Sequence, residues 1–279
     1  MYRRDFGQCL KDYYELTGYP SLIPRYALGN WWYKNEKYNT NDIYNVINKF
    51  EDNDIPLSIM VLGDKWHDNV NNFSFDNNLI DVGNVVNFLK SKDIKLSVKI
   101  NPELGVGPSD KLYPEMSKYL GATKSLSLLP LDMTRLALYF NLCVKPLQSM
   151  GVTFFNIGYN DPKNLTNLWM LNHYHYTELP LILGTRGLIL SRNSMIAPHR
   201  YPVIYTGRTN ASWDTINAIP YYNLSASNIG VSFVAHALGG FHGGIESSEL
   251  YLRYIELGTF SPIFLLASDG GKYYKREPW

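Results

Sequence analysis

The chain has 279 residues, 45% of them hydrophobic and 18% charged, which supports a sizeable core and excludes wholesale disorder. With 26 basic and 25 acidic side chains the net charge is +1, so no basic excess exists to drive nucleic-acid binding through counterion release. Cys9 and Cys143 cannot make a disulfide framework and fit no metal-binding spacing, so two buried thiols are expected.

The opening MYRRDFGQCL lacks the apolar stretch of a signal peptide, and runs such as Leu179–Leu183 and Pro262–Ala267 are too short to span a bilayer. A cytoplasmic protein with no membrane contact is the expectation. Aromatic residues make up 14% of the chain, including 22 Tyr and 6 Trp. Such rings stack on the C–H faces of sugars, and they fill cores equally well.

In chain order, short apolar runs predict strands at Ala27–Trp32, Leu57–Leu62, Lys95–Ile100, Thr153–Ile157, Gly187–Ser191, Pro202–Tyr205, Gly230–Ala235 and Ile263–Leu266. Their Val, Ile, Leu and Phe content suits parallel strands buried on both faces. Between them lie helix-period segments. In Thr40–Asp52, Ile43, Val46, Ile47 and Phe50 recur on one face, and Leu79–Leu89 and Leu136–Met150 behave likewise. Eight strands with intervening helices predict an α/β chain folded as a (β/α)8 barrel, one domain over residues 1–279; a doubly wound open sheet is the competing arrangement. Residues run out at Arg276–Trp279, after the eighth strand, where a last helix would belong.

A barrel of this kind carries its site at the C-terminal ends of the strands. Those ends are Tyr33, Gly63–His67, Asn101–Glu103, Gly158–Asp161, Arg192, Gly207–Thr209, His236–Gly240 and Ala267–Asp269. They are poor in carboxylates: Asp64, Glu103, Asp161 and Asp269 are the candidates. His173 with His175, and His236 with His242, have no carboxylate at ligand spacing, so hydrogen-bonded framework histidines and no metal are expected. The glycines of Leu238–Gly244 match no nucleotide-binding loop and are read as turns, with no cofactor implied.

The segments ALGNWWYKNEKY, VLGDKWH, NHYHY, HRYPVIYTGRTNASW, ASNIG, HALGGFHGGIESSELYLRYIELGTFSPI and REPW resemble glycoside hydrolase family 31, which holds α-glucosidases and α-xylosidases. The resemblance runs from near Asp5 to Trp279. It implies a barrel with a retaining mechanism, an Asp nucleophile and an Asp acid/base. It also implies flanking β-domains that have no counterpart in these residues, so the chain is expected to be part of a catalytic domain.

Carried over position by position, the resemblance puts Gly158 where the nucleophile belongs and Arg208 where the acid/base belongs. Arg192, sixteen residues before Arg208, matches a substrate-contacting arginine. Gly63, Ala237 and Ala267 stand where the family has sugar-binding Asp, Asp and His. Trp32, Trp66 and Tyr159, with Trp31 and Phe241, are candidate stacking surfaces, and Trp66, His67, Gly239, Gly240, Phe260 and Pro262 match the family's framework.

Gly158 offers no nucleophile, and a guanidinium cannot act as general base. The expectation is a catalytically inactive relative that at most binds a saccharide such as an α-glucoside or α-xyloside. Two alternatives stay open: an active glycosidase using displaced acids, Asp64 or Asp161 with Glu103, and a decayed fragment without independent function.

Overall fold

Local sequence chemistry sets the helix starts. The computed structural model describes residues 5–67, 72–121, 126, 132–158, 165–192, 197–244, 246–270 and 276–279. After the N-terminal helix α1 (Phe6–Thr17), helix α2 spans Thr40–Asp52 and opens on a reciprocal cap. There the Asp42 N–H donates to Asn39 Oδ1 and the Asn39 N–H donates to Asp42 Oδ2, each at 2.9 Å. Ile43, Ile47 and Phe50 form its buried face. Helix α3 (Val82–Ser91) begins later than the hydrophobic period predicts, because the Asp81 carboxylate accepts from the Asn84 N–H and so makes Asp81 the cap.

Helix α4 is Tyr113–Leu120. The segment expected as one helix at Leu136–Met150 runs instead as α5 (Met133–Leu138), a π-helical stretch (Tyr139–Val144) and α6 (Lys145–Met150). Pro146 has no N–H to donate to the preceding turn, and a widened turn before it accommodates that loss. Helices α7 (Leu165–Leu183), α8 (Trp213–Asn228) and α9 (Ser248–Thr259) complete the set among the described residues.

The strands are β1 (Asn30–Lys34), β2 (Ile59–Leu62), β3 (Lys95–Ile100), β4 (Val152–Ile157), β5 (Ile189–Ser191), β6 (Ile204–Tyr205), β7 (Val234–Ala235) and β8 (Phe264–Ser268). All pair in parallel in the order β7-β6-β5-β4-β3-β2-β1-β8. Bridges Ala235↔Ile263 and Leu238↔Leu266 join the two ends of that row, so the sheet is a nearly closed (β/α)8 barrel, and the open-sheet alternative falls. No helix follows β8 among the described residues.

Two-residue alternation divides each strand between two cores. Trp31, Tyr33, Ile59, Val61, Phe154, Leu190, Tyr205, Ala235 and Leu265 fill the barrel interior. Ile23 and Ala27, from the segment before β1, join that interior cluster. Trp32, Met60, Leu62, Val98, Phe155, Ile157 and Leu266 point outward into the layer shared with the helices. Strand β3 breaks the apolar rule inside: its inward positions are Ser97 and Lys99.

Candidate functional site

At the C-terminal ends of the strands is a cavity of about 270 Å³. Gly158 and Arg208, from the ends of β4 and β6, both line it, as does Arg192 from β5. The other described groups around it are mostly polar: Tyr33, Asp64, Lys99, Asn101, Glu103, Asn156 and Tyr205. A larger cleft of about 670 Å³ lies on the barrel's flank between α9, β8 and the C-terminal residues, away from the strand ends where such barrels do chemistry.

Asp64 is the hub. Its carboxylate accepts from Lys99 Nζ at 2.5 Å and Asn101 Nδ2 at 3.3 Å, and it is ion-paired with the Arg208 guanidinium. The Asp64 backbone N–H donates to Asn35 Oδ1 at 2.6 Å. Burial alone would push the Asp64 carboxyl up, but the Lys99 ammonium, the Asn101 amide and Arg208 outweigh it and hold the pKa below the ordinary carboxylate value. Lys99 is displaced downward, by burial first, with Asp64 opposing and the Arg208 and Arg192 charges adding to the fall. Arg208 also lies over the Phe241 ring, 5.1 Å from its centroid.

Two glycines at this mouth are crowded by asparagines. A Cβ on Gly158 would fall 2.0 Å from Asn101 Oδ1 and 3.1 Å from the Ile100 carbonyl. A Cβ on Gly63 would fall 2.1 Å from Asn35 Oδ1 and 3.0 Å from Asn35 Cα. The space where side chains at 63 and 158 would begin is thus taken by Asn35 and Asn101. Gly207 has φ +93°, and a Cβ there would meet Arg192 Nε at 2.7 Å. A side chain at 207 is excluded by both backbone and neighbour.

The remaining predicted positions fall elsewhere. Trp32 points outward against Phe50 and Trp279. Trp66 is buried beside Phe75 and donates its indole N–H to the Lys99 carbonyl at 2.6 Å, bracing β3 from behind. Ala237 and Ala267 are buried in the barrel interior, as are Trp31 and Phe241. None of these six lines the cavity. Tyr159 and Asp161 lie outside the described residues. Asp269 lies apart from the cavity, 3.9 Å from Arg276.

The histidines are held in polar and aromatic packing. His173 is stacked on Trp169 and bonded to Tyr201, His175 is bonded to Tyr139, and His236 lies between Thr206 and Asn223. Among the described residues no group of three or more His, Cys, Asp or Glu could hold a metal ion. No described helix is long and apolar enough to cross a membrane.

The sequence motifs do not point to Lys99, Asn156, Tyr205 or Asn35. For Lys99 a signal existed, because β3 reads Lys-Leu-Ser-Val-Lys-Ile and puts every second, polar residue on one face. Nothing local marks Asn35, which acts across the β1–β2 boundary.

The model of the Glycosyl hydrolases family 31 TIM-barrel domain matches residues 20–279. Neutral alpha-glucosidase C of Homo sapiens is 25% identical over 318 residues, covering 96% of this chain and 34% of its own length. An alpha-xylosidase of Emericella nidulans is 24% identical over 306 residues, covering 98% and 39%. The chain thus spans little more than a third of these relatives.

Among solved structures, the cycloalternan-forming enzyme of Listeria monocytogenes, in complex with a pentasaccharide substrate, superposes with a TM-score of 0.85 at 18% identity, over 99% of this chain and 32% of that one. A GH31 alpha-xylosidase from a soil metagenome, complexed with xylose, gives 0.79 at 18% identity, over 95% and 45%. With the family model matching almost the full length and the fold agreeing, the chain belongs to glycosyl hydrolase family 31, whose TIM-barrel domain it carries.

Proposed function

We propose that residues 1–279 form one barrel domain that has lost glycoside hydrolysis and retains, at the C-terminal mouth of the strands, a site for a saccharide of the α-glucoside or α-xyloside type. Retention needs two carboxyl groups about 5–5.5 Å apart, one to attack the anomeric carbon and one to protonate the leaving oxygen. On the alignment proposed from sequence, those roles fall to Gly158 and Arg208. A glycine has nothing to attack with, and a guanidinium near a developing oxocarbenium ion carries the wrong charge.

The observation that carries the reading is the state of Asp64. It lies in the same cavity, but it is ion-paired to Lys99 and Arg208 and held ionised. An ionised carboxylate cannot donate a proton to a leaving group, and one clamped by two cations is a poor nucleophile. That argues against Asp64 as a displaced catalytic acid. Saccharide binding is supported by similarity to structures solved with a pentasaccharide and with xylose.

Incubation with 4-nitrophenyl α-glucoside and α-xyloside is expected to release no nitrophenol above the buffer rate, since loss of a nucleophile alone costs on the order of 10⁴–10⁶ in rate. Turnover that disappears in Asp64→Asn would overturn the reading. Calorimetric titration with maltose and with an α-xyloside is expected to show weak heats; silence with both removes the binding half.

A further inference from the structure

The cavity at the strand ends carries an excess of positive charge. Lys99, Arg192 and Arg208 line it, against Asp64 and Glu103, so cations exceed carboxylates among the described residues. Asp64 is shared between Lys99 and Arg208, whereas Arg192 makes no ion pair with any described residue. Below these charges is a buried donor with nothing to receive it. Tyr205 is 5% exposed and its hydroxyl has no hydrogen-bond partner. Asn156 is 4% exposed, and its amide interacts with the Tyr33 phenol.

Burial pushes the Tyr205 and Tyr33 phenols upward, so both keep their protons and can donate. Buried donors without acceptors are costly, and one that lines a cavity can be satisfied by an acceptor on a ligand. Neutral sugar hydroxyls could satisfy such donors. They would not offset a surplus of guanidinium charge, which fits a planar or tetrahedral oxyanion through paired N–H bonds.

We propose that this mouth binds an oxyanion group, a carboxylate or phosphate, with Arg192 and Arg208 supplying charge and the Tyr205 hydroxyl supplying the deeper hydrogen bond. That the oxyanion is carried on a sugar rests on the saccharide-binding reading above. Lys99 is a positioning residue: through Asp64 it fixes the Arg208 guanidinium at the rim.

The test is calorimetric titration of the 279-residue protein with D-glucuronate, D-glucose 6-phosphate, inorganic phosphate and D-glucose at low and moderate salt. One of the two acidic sugars is expected to bind about tenfold or more tighter than glucose, and to weaken as salt rises. Arg192→Gln, an exposed position, should abolish about tenfold of that preference, and Tyr205→Phe should weaken the same ligand several-fold with an unchanged melting temperature.

Equal affinity for glucose and both acidic sugars would overturn the anion site and leave saccharide binding standing. Inorganic phosphate binding as tightly as glucose 6-phosphate, and lost in Arg192→Gln, would keep the anion site and overturn its sugar. Acidic-sugar binding that survives Arg192→Gln unchanged would overturn the assignment of residues, and no heat with any ligand would overturn both readings.

Discussion

Asp64 shows how one carboxylate organises a site by satisfying its neighbours. Lys99 points into the barrel, where its side chain is 14% exposed, and an ammonium there is tolerable only while paired. Asp64→Asn keeps the shape and removes the charge, leaving Lys99 and Arg208 facing each other. We expect a stability loss of about 1–3 kcal/mol in urea unfolding with an unchanged m-value, and recovery of part of it in Asp64→Asn/Lys99→Met. A neutral Asp64→Asn would mean that solvent, not the ion pair, satisfies Lys99. At this scale the sequence is half legible. The motif register brings Gly158, Arg192 and Arg208 to one mouth, but Asn101 filling the space beside Gly158 depends on a contact between strand ends that no periodicity encodes.

Elements are more legible in the sequence than site residues, because burial on both faces of a parallel sheet imposes near-continuous apolar runs. All eight strands fall within the expected runs or shift by a few residues. β1 starts at Asn30 because Arg25–Leu28 is wound into a 3₁₀ turn, and β7 starts at Val234 because Gly230, at φ +83°, turns the chain first. The final residues were legible as a family motif but not as a structural device. Arg276 donates to the carbonyls of Phe241 at 2.9 Å and Gly243 at 2.6 Å, pinning the loop between β7 and α9. Trp279 packs edge-on against Phe50 at 5.1 Å and beside Trp32 at 5.8 Å. The C-terminal tetrapeptide thus ties α2, β1 and the β7–α9 loop together at the seam over β8. Arg276→Ala is expected to lower stability by about 1–3 kcal/mol, since it orphans the Gly243 carbonyl, takes one of two donors from the Phe241 carbonyl and removes the 3.9 Å contact to Asp269. A melting temperature equal to that of the parent protein would show that Trp279, the Lys34–Glu277 ion pair and the Tyr251 hydroxyl on the Arg276 carbonyl hold the seam without the guanidinium.

At the scale of the whole molecule, two histidines that the fold keeps neutral make stability sensitive to acid. Burial lowers His236 to about 4 and His175 to about 3 from an ordinary value near 6.5. His236 faces the Thr206 hydroxyl, the Asn223 amide oxygen and the Tyr222 ring, and His175 faces the Tyr139 hydroxyl and the rings of Phe140 and Phe155; none of these is a carboxylate that could stabilise an imidazolium. Below about pH 6.5 the unfolded chain takes up protons that the folded chain refuses until about pH 4, so folding stability must fall as pH falls through that window. Asp64, whose carboxyl is depressed in the fold, acts in the same direction but only below about pH 4, where the unfolded carboxylate protonates first. The two groups therefore separate on the pH axis. Melting temperatures measured from pH 8 to 4.5 should hold level down to about 6.5 and then decline, and His236→Gln should flatten part of that decline. A profile that stays level to pH 4.5 would show that the fold does not hold these histidines neutral, and one whose slope His236→Gln leaves untouched would place the acid-sensitive step outside the His236 pocket.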